Sequence, residues 1–256
     1  MMRALVSIAL AVASQLVGVD VAAAGALLQV EGDILKWRPP GSGARTVITY
    51  AVVTGPYSVP GDRRTLSPDN CGAMHSFADI IAASPRVSEK TAQRELQSAF
   101  AAWEKAADII FVEVGDERQA NIIIGAADAP KGRAFANLSY RSIQGTTPVT
   151  KALGRSGPDL SVNSDETAGD GAVATIEQAY ICLDPQSRWK VGFDGNLDIY
   201  DLRYTFTHEI GHAIGLDHPG SSGSVMAYRY DERVQQLQPS DVAAVERLYG
   251  PRKHER

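Results

Sequence analysis

The chain has little cysteine and no excess of positive charge, and it lacks both internal repeats and long apolar runs beyond its first residues. Its 256 residues carry 25 Lys and Arg against 30 Asp and Glu, a net charge of −5. Nucleic-acid-binding proteins usually present a basic surface, so this balance argues against nucleic acid as a partner. After the N-terminal segment no apolar run approaches the roughly 20 residues of a membrane helix. The missing repeats exclude a calcium-binding β-roll.

The first 24 residues have the pattern of a secretory signal peptide. Arg3 precedes a mostly apolar run over residues 4–19, and the small residues 21–24 precede the expected cleavage site after Ala24. We therefore expect residues 1–24 to be removed and the mature protein to be soluble, either extracellular or periplasmic, and not bound to a membrane. An uncleaved anchor or a buried helix is the alternative interpretation.

Only two cysteines are present, Cys71 and Cys182. In an oxidising compartment such a pair can form one disulfide, but the sequence does not give their separation in space. Two independent thiols are the alternative.

The pattern of strands and helices predicts one α+β domain over residues 44–250. It would follow a short irregular leader at 25–43, contain a loop insertion at 55–85 with a helical turn near 77–83, and precede a charged tail at 251–256. Runs of β-branched residues predict strands at 46–54, 109–114, 121–125, 133–140 and 174–183. Apolar spacing, caps and stop signals predict helices at 88–107, 198–215 and 239–249.

One segment, HEIGHAIGLDH, holds three of the five histidines within residues 208–218. His208 and His212 are four residues apart, so on a helix both side chains lie on one face. Gly215 stands where the chain must turn to bring His218 back, because glycine adopts positive φ without a Cβ penalty. Three neutral nitrogens with one open position are typical of a catalytic zinc rather than a structural one.

Glu209 lies between the first two histidines and close to the same face. Zinc at such a site acidifies water to a pKa of roughly 7. Glu209 is placed to take the released proton as general base and to pass it to a leaving amine. The segment therefore predicts hydrolysis of peptide bonds; a surface helix with scattered histidines is the alternative.

The pattern HExxHxxGxxH, followed by SVMAY at residues 224–228, resembles the metzincin metalloproteases. In that clan the residue equivalent to Met226 forms an apolar floor below the three imidazoles, in a methionine turn. The short interval from His218 to Met226 and the final helix resemble the matrixin branch, and the similarity covers about residues 45–250. The resemblance implies a twisted, mostly parallel sheet packed on two long helices, with a small C-terminal subdomain that carries the methionine turn and the last helix.

Three features depart from the animal matrixins. No histidine lies between His75 and His208, which implies that their second, structural zinc is absent. Cys71 stands in PDNCGAM, which echoes the PRCGxPD latency segment, so a Cys71 thiolate bound to zinc, with His75 assisting, is a hypothesis. Tyr228 follows the methionine by two places, as in the serralysins, where that tyrosine assists zinc or the oxyanion. A packing or pocket-wall role for Tyr228 is the alternative.

Weaker signals concern calcium and substrate contacts. Alternating oxygen ligands at Asp194, Asn196 and Asp198 suggest a calcium site, and so do the acidic residues of the loop Asp159, Asp165, Glu166 and Asp170; solvated loops are the alternative at both places. Segment 133–140 is predicted as an edge strand on which substrate backbone can pair, or as a plain edge. Tyr230 is expected to line the specificity pocket or only to pack.

These patterns together predict a secreted zinc metalloendopeptidase that cleaves protein or peptide substrates and is monomeric. A non-catalytic secreted module on the same fold, which keeps zinc for stability or adhesion, is the competing hypothesis. Glu209 favours catalysis, because a purely structural ion has no use for a carboxylate that does not bind it.

Overall fold

The computed structural model describes residues 25–30, 32–39, 41, 44–59, 71–130, 132–141, 149–153 and 173–253. The predicted signal peptide and the acidic residues of the 159–170 loop lie outside these ranges. Among the residues that are described, no helix has both the length and the apolar character needed to cross a membrane.

The described ranges contain twelve strands and three α-helices. The strands are β1 (Gln29–Val30), β2 (Asp33–Lys36), β3 (Thr46–Val52), β4 (Tyr57–Ser58), β5 (Ala73–His75), β6 (Ile109–Glu113), β7 (Ile122–Ala127), β8 (Ala134–Arg141), β9 (Val149–Leu153), β10 (Val173–Leu183), β11 (Trp189–Lys190) and β12 (Tyr200–Asp201). The helices are α1 (Glu89–Ala106), α2 (Leu202–Ala213) and α3 (Pro239–Tyr249), with short 3-10 turns at Phe77–Ile81 and Glu117–Gln119.

A mixed sheet runs through the domain, and its main order is β2-β10-β7-β3-β6 with every neighbouring pair parallel. Strands β2 and β7 pair with successive parts of one edge of β10, at residues 173–175 and 179–183, and β8 pairs antiparallel with its other edge. Strand β9 pairs antiparallel with β8. The α+β fold class expected from the sequence is confirmed.

The sheet is buried on both faces, because helices cover one side and the described residues 57–59 and 71–74 pack against the other. All six residues of β7 are buried, which is typical of a central parallel strand. Ile122 and Ile124 belong to the main core with the helices, whereas Ile123 joins a second, smaller core.

Helix α1 follows the predicted pattern closely. The Ser88 hydroxyl accepts a hydrogen bond from the Thr91 backbone N–H and caps the helix. Its buried stripe ends at Trp103, whose indole N–H donates to the Thr207 carbonyl oxygen at 2.9 Å. This bond fixes α1 against α2, the helix that carries the first two motif histidines.

The expectation of an irregular leader at residues 25–43 is wrong. Strand β2 joins the sheet beside β10, and Leu28 and Leu35 are fully buried. The backbone N–H of Leu28 donates to the Gly215 carbonyl at 2.8 Å, and that of Asp217 donates to the Ala26 carbonyl at 3.0 Å. These two hydrogen bonds attach the segment to the turn that precedes the third histidine.

The predicted insertion at 55–85 also contains regular structure, namely β4, β5 and the 3-10 turn at Phe77–Ile81. Cys71 and Cys182 form a disulfide inside the second core, where both are fully buried. The hypothesis that a Cys71 thiolate binds zinc is therefore wrong, because its sulfur is bonded to Cys182. His75 Nε2 instead lies 2.7 Å from Asp128 Oδ1 at the surface.

Two further predictions need correction. Strand β8 is not an edge strand over most of its length, because β9 pairs with its residues 136–140. The helix predicted from residue 198 begins at Leu202, because the Asp201 carboxylate caps it by accepting from the Tyr204 backbone N–H at 2.8 Å. Tyr200 and Asp201, which the prediction placed in the helix, form the short strand β12.

Candidate metal centre

Helix α2 and the turn after it bring three imidazole rings together. His208 and His212 lie on one helical face with their Nε2 atoms 3.1 Å apart. Gly215 has a φ of 98°, and a Cβ on it would lie 2.2 Å from the Leu35 carbonyl oxygen, so only glycine fits there. After this turn the Nε2 atom of His218 lies 3.2 Å from each of the other two.

Backbone carbonyls fix the protonation of two of these rings. His208 Nδ1 lies 2.7 Å from the Val225 carbonyl oxygen, and His212 Nδ1 lies 2.9 Å from the Leu216 carbonyl oxygen. A carbonyl only accepts, so each Nδ1 carries the proton and each Nε2 presents a lone pair.

Lone pairs that converge in this way repel one another unless a cation lies among them. Nitrogens about 2.0–2.1 Å from a tetrahedral zinc ion are about 3.3 Å apart, which the observed triangle matches closely. Among the described residues this trio is the one group of three or more potential metal-binding side chains. The donor set and its spacing therefore fit zinc.

Burial keeps the three rings neutral. Burial, with a smaller contribution from His218, lowers the pKa of His208 to about 4. The pKa of His212 lies well below its ordinary value for the same reason, with His218 and His208 adding to the effect of burial. Since only unprotonated imidazole binds a metal, the rings are ready as ligands at neutral pH without losing a proton.

Of the described residues that line the cleft beside these rings, Glu209 is the one carboxylic acid. Only 4% of it is exposed, and its Oε2 atom has no hydrogen-bond partner among the described residues. Burial raises the pKa of this carboxyl to about 8 in the metal-free protein. A cation at the histidines would favour the charged form. The unpaired oxygen is thus available to a water molecule or a substrate.

The methionine turn is held by a residue whose role the sequence did not reveal, Asp241 in the first turn of α3. Its Oδ1 accepts from the Ser224 hydroxyl at 2.5 Å, and its Oδ2 accepts from the Val225 backbone N–H at 3.0 Å. Asp241 is 1% exposed and also caps α3 by accepting from the Gln238 backbone N–H. In the sequence, Asp241 stands at the third position of the predicted last helix, and an acid at that position indicates only a helix cap.

A narrow cavity of about 30 Å³ opens beside His208 and Glu209. Tyr230 lies in its wall, stacked on the Tyr200 ring at 4.3 Å between centroids. Tyr228 also lines the cavity and is 42% exposed, and its ring lies 5.2 Å from that of His218. The structure thus places both predicted tyrosines next to the metal centre.

The loop suggested as a calcium site is organised by a lysine. The Lys190 ammonium contacts Asp194 Oδ1 and Glu232 Oε1 and donates to the Asn196 carbonyl at 2.7 Å. An ammonium group thus lies among the oxygens where calcium was expected. The remaining predicted ligand, Asp198, lines a separate and wider cavity.

Comparisons with known proteins agree with this geometry. A family model described as matrixin matches residues 160–250. Matrix metalloproteinase-16 of Rattus norvegicus is 23% identical over 207 residues, which cover 76% of this chain and 30% of the relative. A probable matrix metalloproteinase 095L of invertebrate iridescent virus 3 is 29% identical over 159 residues, 60% of this chain and 36% of the relative.

A shorter match has a higher identity. Matrix metalloproteinase-26 of Homo sapiens is 37% identical over 71 residues, which cover 27% of this chain and 26% of the relative. The chain spans about a third of the length of the first curated relatives that it matches.

Proposed function

We propose that this chain is a secreted zinc-dependent metalloendopeptidase with a matrixin-like catalytic domain of the metzincin type, which the family match over residues 160–250 and the similarity to matrix metalloproteinases support. The observation that supports this function best is the convergence of three ring nitrogens beside the unpaired oxygen of Glu209. Extended segments of proteins or peptides are the substrates, and hydrolysis of a peptide bond is the reaction.

Each residue of the centre has a role in this proposal. His208, His212 and His218 hold the ion, and two backbone carbonyls orient the first two rings. Zinc, when bound, supplies a Lewis acid that polarises a carbonyl group and acidifies water. Glu209 acts as general base: its Oε2 atom accepts a proton from water and then delivers it to the amine that leaves.

The walls of the cleft position the substrate. Met226 packs below the rings as an apolar support, and the cavity beside Glu209 receives one substrate side chain between Ala227 and Tyr230. Tyr228, whose ring lies 5.2 Å from that of His218, stabilises the developing oxyanion through its hydroxyl in this proposal. A role of the Tyr228 ring as pocket wall alone is the alternative.

Secretion, calcium binding and a monomeric state also belong to the proposed function. The pattern of residues 1–24 supports secretion, and the disulfide between Cys71 and Cys182 suits an oxidising compartment. Calcium binding at the acidic residues of the 159–170 loop and a monomeric state remain predictions.

The decisive variant is Glu209→Ala. The wild-type protein should cleave unfolded casein, and the variant should lose that activity by a factor of at least about 100, given the contribution of general-base catalysis. Zinc content measured on the same samples should not change, because Glu209 is not a ligand. Equal inactivity of both proteins, with zinc bound to both, would instead favour the non-catalytic binding module.

A further inference from the structure

A second and wider cavity adjoins the narrow one beside the metal centre. It has a volume of about 500 Å³, and its lining includes Arg133, Arg188, Asp198, Gln186, Ser187 and Asn196. Arg133 lines both cavities, so the two spaces meet at this residue. An extended peptide in the cleft beside Glu209 can therefore reach the wide cavity at Arg133.

The two arginines make this space positively charged in a chain whose net charge is −5. Arg133 is half-buried, and its guanidinium carbon lies 4.6 Å from the centroid of the Tyr200 ring. This contact on an aromatic face orients the guanidinium and leaves its N–H groups available. Arg188 is exposed.

Neither arginine has a carboxylate partner in the described part of the chain. Among the other described arginines, Arg118, Arg141, Arg203 and Arg233 do form ion pairs. The lining residues named above include one acid, Asp198, against two guanidinium groups. The polar side chains of Gln186 and Asn196 add further hydrogen-bond donors. The cavity is therefore complementary to a carboxylate from outside the chain.

We infer that this cavity binds a carboxylate of the peptide substrate and makes the enzyme selective for acidic segments. The inference rests on the proposed peptidase function, because the cavity adjoins the cleft beside Glu209 at Arg133. A guanidinium group binds a carboxylate through two parallel hydrogen bonds, which gives direction as well as charge. The carboxylate comes from an Asp or Glu side chain near the cleaved bond or from the C-terminus of a short peptide.

Matched peptides test the inference and separate the two sources. One series moves a single Glu through each position on both sides of the cleaved bond, with Gln in the same place as the neutral reference. A second series compares a free C-terminus with an amidated one. The measured quantity is the ratio of kcat/KM between the members of each pair, at low and at high salt.

For the wild-type protein we expect one pair to show a preference of about five- to tenfold for the carboxylate, the size expected from a charge-assisted contact in a partly exposed groove. The preference should shrink at high salt because such contacts are screened. Arg188→Gln should reduce the ratio towards one. Arg118→Gln removes the same charge from a remote 3-10 turn and should leave the ratio as in the wild type.

The outcomes distinguish this inference from the function on which it rests. Cleavage of all peptides with no carboxylate preference, or a preference that survives Arg188→Gln, would overturn the inference and leave the peptidase function standing. No cleavage of any peptide by zinc-loaded protein would overturn the peptidase function and the inference with it.

Discussion

Gly211 and Met226 lie in such close contact that a Cβ atom on Gly211 would be 2.2 Å from the methionine sulfur. The same Cβ would lie 3.0 Å from Cζ2 of Trp103, which is fully buried. Gly211 is the residue just before His212, so the helix that carries the metal ligands can approach the methionine turn only because this position has no side chain.

Gly211→Ala should therefore be destabilising although alanine is the better helix former. We expect a loss of about 1–3 kcal/mol in the free energy of unfolding, the usual cost of overpacking a core. Urea denaturation followed by circular dichroism measures it. Gly115→Ala is the matched control, since a Cβ there meets no atom within 4 Å. Equal stability of Gly211→Ala and the wild type would show that Met226 does not support α2 as described.

Lys190 links the 190–198 loop to the wall of the narrow cavity. Its ammonium contacts Glu232, which accepts from the Tyr230 hydroxyl at 3.0 Å. Lys190→Met should leave Glu232 without its counter-charge and cost about 1–3 kcal/mol of stability, because Glu232 is 9% exposed. Thermal denaturation compares this variant with Lys90→Met, which removes an exposed lysine from the first turn of α1. A similar shift in both variants would contradict the role given to Lys190.

The metal-free protein should become less stable as the pH rises from about 6.5 to 8. Burial raises the pKa of Glu209 from 4.5 to about 8, so the folded state keeps a proton that the unfolded state has lost in this range. The contribution of Glu209 to the free energy of unfolding is at its full size below pH 4.5 and is lost as the pH rises to 8. Between these values the free energy of unfolding falls by about 1.4 kcal/mol per pH unit. The histidines act at lower pH, because the pKa of His208 falls from 6.5 to about 4.

Chemical denaturation of chelator-treated protein at several pH values measures this slope. Glu209→Gln cannot titrate, so its stability should be flat across the same interval. An equal slope in the variant and the wild type would show that another group is responsible.

Loss of the disulfide should lower the stability of the protein but leave its zinc binding intact. Cys71 and Cys182 are 111 residues apart and lie in the smaller core, away from the three histidines. The chain-entropy model gives a loss of about 4–5 kcal/mol for a loop of that length. The double variant Cys71→Ala, Cys182→Ala should unfold at lower urea concentration and still bind zinc. Loss of zinc from a variant that is still folded would contradict the separation of the two cores.

Features set by neighbouring residues were predictable from the sequence. The cap at Ser88, the helix from Pro239 and the convergence of the three histidines depend on spacings within a few turns of chain. Family resemblance supplied the arrangement of sheet and helices around them.

Features set by distant residues were not predictable in this way. Strand β2 forms only because it pairs with β10, which lies far along the chain. Strand β8 was predicted at the edge of the sheet, but β9 pairs with it there. The contacts of Lys190 and Asp241 likewise form only when loops and helices meet. Composition alone made the segment around β2 resemble an irregular leader, because glycine and proline follow its few apolar residues.

Zinc K-edge X-ray absorption on the purified mature protein tests the metal centre most directly. We expect one zinc ion per chain, with three imidazole nitrogens at about 2.0–2.1 Å and a fourth ligand that is a light atom. Absence of stoichiometric zinc after metal loading, or a coordination shell without three histidine nitrogens, would contradict the proposed metallopeptidase.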